Sequence, residues 1–469
     1  MRFLTLALIA TTALAEDGIT RGDALRRREY QTSATQTLYV DPTGSDANAC
    51  TLGGTNACST LAGALSKLPR FIRNNVTINI GAGTYTETFR VQGFALEAGT
   101  AGSTQPTLTI QGTMSSFTVA TGSNSGTVTS YAAPLNGTHA IITDSTQTWT
   151  VNDLRGRYVL ATGGPGSGEY HLITSNTATT ISLAYQFTAS PTAATTYSIV
   201  TPSSIFTGTS ASIRGMTGSG TLVVSDVSIQ PTSGSAFSMT MNTAQVTTTR
   251  VRIVSAATGI ITASSPTTGA LSWSANQTFV SAALGSGVLL SNNTRGLFTE
   301  LFVYCSGTCP GTGLFTQAVN SGFSFLTGTI SGAFEFMIQL NSNPAAQSTG
   351  LWLDCTSPTA VGITFPPAAD TTVRTGIGWA ANVGPFFNGC LTGYHLRVPS
   401  LTYIDNGNTF TGVTNAVILE NGAKAVIEVG PFTSGVTNFL TIDGTVYTDA
   451  QLTTYTRIVT PQGSHATRP

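Results

Sequence analysis

Charge is scarce in this chain. Of its 469 residues only 9% are Asp, Glu, Lys or Arg, against roughly a quarter in ordinary globular proteins. Twenty basic residues against 21 acidic ones leave a net charge of -1, a balance with no electrostatic footprint for nucleic acid or an anionic membrane. No apolar run approaches the roughly 20 residues that a membrane-spanning helix needs. Helical periodicity is absent after Leu68. The four histidines (His139, His171, His395, His465) are scattered without ligand spacing, so no metal or other cofactor is expected. What is plentiful is 41% hydrophobic residues, 50 glycines and long Thr-rich runs. A large core is therefore available, and solubility must come from Thr, Ser, Asn and Gly. That balance suits many short strands and tight turns with β-branched hydroxyl residues pointing outward.

The stretch from Leu38 to Phe94 has a definite order. A short strand (Leu38, Tyr39, Val40) breaks at Asp41, Pro42, Gly44 and Asp46. Leu61, Ala64, Leu65 and Leu68 then share one face of a short helix that Pro69 ends. Val76-Thr77-Ile78-Asn79-Ile80 alternates with period two, and Gly81-Ala82-Gly83 turns into a second strand from Tyr85 to Val91. A column of stacked β-coils ends in an open apolar core with unpaired backbone groups, so a helix is needed to cover its first rung. Tyr39-Val40-Asp41 with Gly44 and Asp46, then Thr60 and Ala64, then Ile78, Ile80, Gly83, Thr84, Tyr85 and Glu87 resemble the amino-terminal cap of the pectate-lyase-like superfamily of right-handed parallel β-helices, which includes phage tailspikes and bacterial surface proteins. The resemblance implies an all-β column with a capping helix. It implies no particular chemistry, because lyases, hydrolases and adhesins share this scaffold.

Arg2, the apolar stretch Phe3 to Ala10 and Ala13-Leu14-Ala15 read as a signal peptide over 1–15. A polar leader or propeptide follows over 16–37, carrying Arg21-Gly22-Asp23 and the basic run Arg26-Arg27-Arg28. The cap and first rungs occupy 38–121. Residues 122–202 read as an inserted antiparallel module, with Trp149, a turn at Gly163-Gly164-Pro165-Gly166-Ser167-Gly168 and a closing Tyr197. These marks are similar to small β-modules inserted in phage tail and β-helix proteins. No Lys and Ser/Thr pair follows the glycines, so they form a hairpin turn and not a phosphate cradle. The β-helix body runs over 203–430, with irregular repeats separated by Gly-rich turns. A terminal β-region and a disordered tail from Pro461 fill 431–469. In an exported chain the six cysteines favour disulfides. Cys50 and Cys58 bracket the loop before the helix, and local pairing of Cys305 with Cys309 and Cys355 with Cys390 is the first choice among open connectivities.

Alternation separates core from surface. Leu301, Val303 and Cys305 share one face, which turns Glu300, Phe302 and Tyr304 to the other. Trp352 and Asp354 project together between Leu351, Leu353 and Cys355. Phe334, Phe336, Ile338 and Leu340 face inward and turn Glu335 outward, and His395 and Arg397 alternate with Tyr394, Leu396 and Val398. Stacked rungs would gather these side chains into a lateral groove in which Phe302, Tyr304, Trp352, His395 and Arg397 contact a glycan. Glu300, Glu335 and Asp354 are the acids available for glycoside hydrolysis, which needs two carboxyl groups about 5 to 9.5 Å apart. A competing expectation is that Phe302 and Trp352 pack beneath a loop or against another subunit of a homotrimer. No Asp-dense run suits a pectate-lyase calcium site, and the paired aspartates and His-Gly of polygalacturonases are missing. The sequence thus points to a secreted, fibre-like surface protein that binds polysaccharide or another cell-surface ligand. Its alternatives are a tailspike-like hydrolase or lyase and a structural stalk or coat component.

Overall fold

A computed structural model describes residues 31–98, 104–134, 139–233, 236–240, 243–255, 259–263, 271–291, 293–307, 309–317, 322–340, 345–348, 350–365, 385–397, 401–404, 408–427, 435–447, 457–459 and 465–467. Residues 1–15, expected to be a signal peptide, most of the expected leader over 16–37 with both arginine motifs, and Val398 lie outside these residues.

The period-two segment Val76–Ile80 buries Val76, Ile78 and Ile80 and pairs in parallel register with Gln36–Val40 on one side and Thr107–Gln111 on the other. The same pairing then repeats along the chain. One circuit runs through Thr221–Ser225, Val227–Ile229 and Phe237–Thr240, and returns as Gln245–Thr249, which lies on Thr221–Ser225 with Leu222 beside Val246. The molecule is a parallel β-helix, with a 17-stranded sheet bent into two limbs and a 12-stranded sheet facing it across the core. Inward side chains stack rung on rung. Trp273, Phe298 and Phe325 follow one another at 5.0 and 4.9 Å between ring centroids, and Phe387 stacks on Phe410 at 4.9 Å. Strands about 4.8 Å apart bring like side chains into such contact at every rung.

The cap is built as its residues dictate. In the helix Leu61–Ser66, Thr60 Oγ1 accepts from the Gly63 N–H at 2.8 Å. Glu87 accepts from the Leu61 and Ala62 N–H groups, and Asp46 from those of Ser59 and Thr60. Leu61, Ala64, Leu65 and Leu68 are buried on the first rungs. The Cys50–Cys58 disulfide closes the preceding loop, and Cys305–Cys309 and Cys355–Cys390 are also bonded.

An eight-stranded antiparallel unit interrupts the column after Thr107–Gln111 and rejoins it at Ser204–Phe206, between the two limbs of a single circuit. It starts at Met114 and not at residue 122, because Met114–Ser116 pairs with Val200–Pro202 at the unit's exit. Its own core holds Trp149, Leu154, Ile173 and Tyr197. Trp149 donates to the Ser123 carbonyl at 2.8 Å and Tyr197 to Asp144 at 2.7 Å. Gly164, Gly166 and Gly168 all have positive φ, which explains the glycine-rich turn between Tyr158–Gly163 and Tyr170–Asn176.

Two local expectations fail. Phe336 is only half-buried while Met337 is fully buried, beside the point where the partner strand Cys309–Gln317 carries an extra residue between Cys309 and Thr312. The tail is not wholly disordered. His465–Thr467 forms a strand alongside Lys424–Ile427 and antiparallel to Arg457–Val459. Among the described residues no helix is long and apolar enough to cross a membrane.

Candidate functional site

The outward side chains of the second limb line up as the alternation implies. Ser228, Arg252, Phe279, Phe302, Thr329, Trp352 and Phe386 occupy one row on successive rungs, and Tyr304, Ser331, Asp354 and Asn388 occupy the next. Aromatics and an acid from separate strands do meet on one lateral face. That face is not an open groove, because the inserted unit lies on it.

Phe302 is fully buried in an apolar cluster with Phe279 and the unit's Tyr158, Leu172, Ala184 and Val200. Trp352 is 5% exposed and sits between His139 and Phe386, stacked on each. The Arg155 guanidinium lies 4.2 Å above the Tyr304 ring. Asp354 accepts from His139 Nε2 at 3.1 Å and from Asn388 at 3.2 Å. Burial pushes its carboxyl up, but the hydrogen bond and charge of His139 outweigh this and hold it below the usual range. The competing expectation, aromatics packed beneath another part of the chain, describes Phe302 and Trp352.

Glu300 is 4% exposed at the corner between the two limbs. Asp226, Arg250, Gln277 and Glu300 hold this corner on four successive rungs, each with φ between 48° and 57°. Their side chains form a polar seam with the unit. Arg250 donates to both oxygens of Asp226, at 2.6 and 2.9 Å, and lies over the Tyr170 ring. Gln277 donates to the Tyr170 carbonyl. His171 is flanked by two carboxylates, Glu169 at 3.2 Å from Nε2 and Glu300 at 3.4 Å from Nδ1, the latter too oblique for a hydrogen bond. Burial pulls the imidazole pKa down, but Glu300 and Glu169 more than compensate and leave it above the ordinary value.

The remaining nominated residues lie elsewhere. Glu335 is exposed on the 12-stranded sheet. His395 is nearly buried on the same sheet, with Glu420 at 3.2 Å from Nε2 and the Arg397 guanidinium against its ring. Burial, then Arg397, lowers its pKa against the opposing effect of Glu420. The three nominated acids therefore serve three different environments: a buried corner, a covered interface and an open sheet face. Among the described residues no group of three His, Cys, Asp or Glu is placed to hold a metal ion.

A further accessible face lies on the first limb, which sequence reasoning passed over. Thr37, Thr77, Thr109, Val223, Thr247, Ser274, Leu297 and Ser324 form an outward row over eight rungs, every member at least partly exposed. Beside it run Tyr39, Asn79, Gln111, Ser225, Thr249, Asn276, Thr299 and Thr327, of which Ser225 and Thr327 are buried and the others partly or fully exposed. Neither row contains a charge. Every rung but that of Val223 and the buried Ser225 offers a partly exposed hydroxyl or amide, at a repeat of about 4.8 Å.

No family model matches the chain, and no curated protein matches it. Solved structures that it resembles include a complex of XylC with xylose (11% identity, 87% of this chain and 70% of that chain, TM-score 0.29). A protein described as a glycoside hydrolase gives 8% identity, 87% and 95% coverage and a TM-score of 0.31. The tailspike of Pseudomonas phage phi297 gives 12% identity, 78% and 72% coverage and a TM-score of 0.23. At these scores the superpositions bear on no residue of this chain, and the fold rests on the strand pairing itself.

Proposed function

We propose that this parallel β-helix is an exported surface protein that binds an uncharged polysaccharide along its first limb. The observation that supports the reading is the pair of uncharged outward rows. Polyols are bound by hydrogen bonds and by apolar patches against their C–H faces. The rows supply both, the second through Val223, Leu297 and the Tyr39 ring, and their repeat is comparable to the length of a pyranose ring. Export is supported by three disulfides, which persist in oxidising compartments. Binding without cleavage is favoured by the positions of Glu300 and Asp354, each held by neighbouring groups beneath the inserted unit.

The test is retention on a panel of immobilised neutral and acidic polysaccharides, comparing the native chain with Thr109→Lys and Ser274→Lys. Both side chains are partly exposed on the outward row, so melting of both variants should match the native chain. Retention on a neutral polymer that falls at least tenfold in both variants supports the reading. Equal retention in all three proteins removes the first limb from consideration, and shortening of the polymer replaces binding with degradation.

A further inference from the structure

The capping helix does more than close the column. Between it and the strand Phe89–Gln92 lies a cleft of about 380 Å3, within the size range of small-molecule sites. Its floor is apolar: Leu65, Leu68 and Phe94 are 9, 8 and 7% exposed, whereas most core residues are at 0 or 1%. Arg70, Arg90 and Gln92 form its rim, all exposed. Among the described residues, neither arginine takes part in an ion pair. The Arg70 guanidinium lies where a Cβ on Gly93 would come within 3.0 Å of it, and Gly93 holds a left-handed φ of 74°. A side chain at 93 would thus displace Arg70 from the rim.

We propose that this cleft binds an acidic saccharide of one or two rings. The apolar floor receives the C–H face of a sugar, and the two guanidiniums supply the donors that match a carboxylate. Gln92 adds a hydrogen-bonding amide for ring hydroxyls. The site is separate from the first limb and differs from it in charge, so its ligand class differs too.

The experiment is titration of the folded protein with glucuronic acid and its disaccharide, with glucose and cellobiose as neutral counterparts, followed by calorimetry or ligand-observed NMR. Saturable binding of the uronates, no binding of the neutral sugars, and at least a tenfold loss in Arg70→Gln and Arg90→Gln are expected. Both arginines are exposed, so circular dichroism and melting should match the native chain. Absence of saturable uronate binding, or equal affinity in the variants, overturns the proposal. Inorganic phosphate binding with the same loss in the variants also overturns it, because the site would then select anions and not sugars. Retention of neutral polymer by the first limb should be unaffected by Arg90→Gln, which keeps the two readings distinguishable.

Discussion

His139 of the inserted unit stacks on Trp352 of the column, with 4.9 Å between ring centroids, while its Nε2 reaches the Asp354 carboxylate at 3.1 Å. The tryptophan that alternation turns toward solvent is thereby an anchor within the protein.

Trp352→Ala should remove a nearly buried ring from that interface and destabilise the protein by about 3 to 5 kcal/mol. Denaturant unfolding measures the loss, and limited proteolysis should show faster cutting within residues 114–202. Unchanged stability with weakened glycan retention would instead mean that Trp352 is presented to ligand.

Stability should depend on pH through His171. Its folded pKa lies above the ordinary value of 6.5, so its contribution is fully present below about pH 6.5 and is lost as pH rises through the folded value. On the acid side, Asp354 and Glu169 have lowered pKa values, so their contributions are present above the ordinary carboxylate range and are lost as pH falls through the folded values. The melting temperature should therefore decline on both sides of a maximum. His171→Gln should flatten the alkaline decline and also weaken the acid one without abolishing it, because Glu169 loses its His171 partner while Asp354 keeps His139. A native-like alkaline slope in that variant would exclude His171 as its source.

Arg252 sits in the outward row next to Phe279, and its Nε is buried without a hydrogen-bond partner. Burial, reinforced by the like charge of Arg157, pushes its pKa down to about 9. Replacing a buried, poorly compensated charge with an apolar side chain of similar volume is neutral or stabilising by about 1 to 4 kcal/mol. Arg252→Met should thus hold or raise the midpoint of chemical denaturation, and a fall of more than about 1 kcal/mol would show that its contact with Phe279 outweighs the buried charge.

The disulfides should differ in worth according to loop length. Cys355 and Cys390 are 35 residues apart and Cys305 and Cys309 only four. Chain entropy then gives about 4 kcal/mol for the first and about 2 kcal/mol for the second. Paired Cys→Ser variants, compared by denaturant midpoint, should follow that order. The reverse order would mean that the native contacts, and not loop closure, decide their value.

Much of the local structure was legible in the sequence. Period-two alternation in Val76–Ile80, Leu301–Cys305 and Leu351–Cys355 sets which side chains face the core, because a strand has only two faces. The capping helix announced itself through Leu61, Ala64, Leu65 and Leu68, and the unit's glycine turn through φ values that few other residues adopt. The corner left a weaker signal. Asp226, Arg250 and Gln277 each follow a strand end, and Glu300 takes the same corner within the strand Thr294–Cys305; the four polar residues recur at nearly one circuit's spacing.

What alternation determines is a face, and what lies on that face is a matter of tertiary structure. Phe302, Trp352 and Asp354 project outward in sequence terms, yet an 89-residue stretch from Met114 to Pro202 folds back over them. Their partners His139, Arg155 and Tyr158 lie more than a hundred residues earlier, and no local pattern encodes that meeting. The same placement leaves the outward row from Thr37 to Ser324 on the first limb accessible. The sequence determined the column, its cap and its inward residues through short-range periodicity; long-range packing alone decided which outward residues became core and which remained surface.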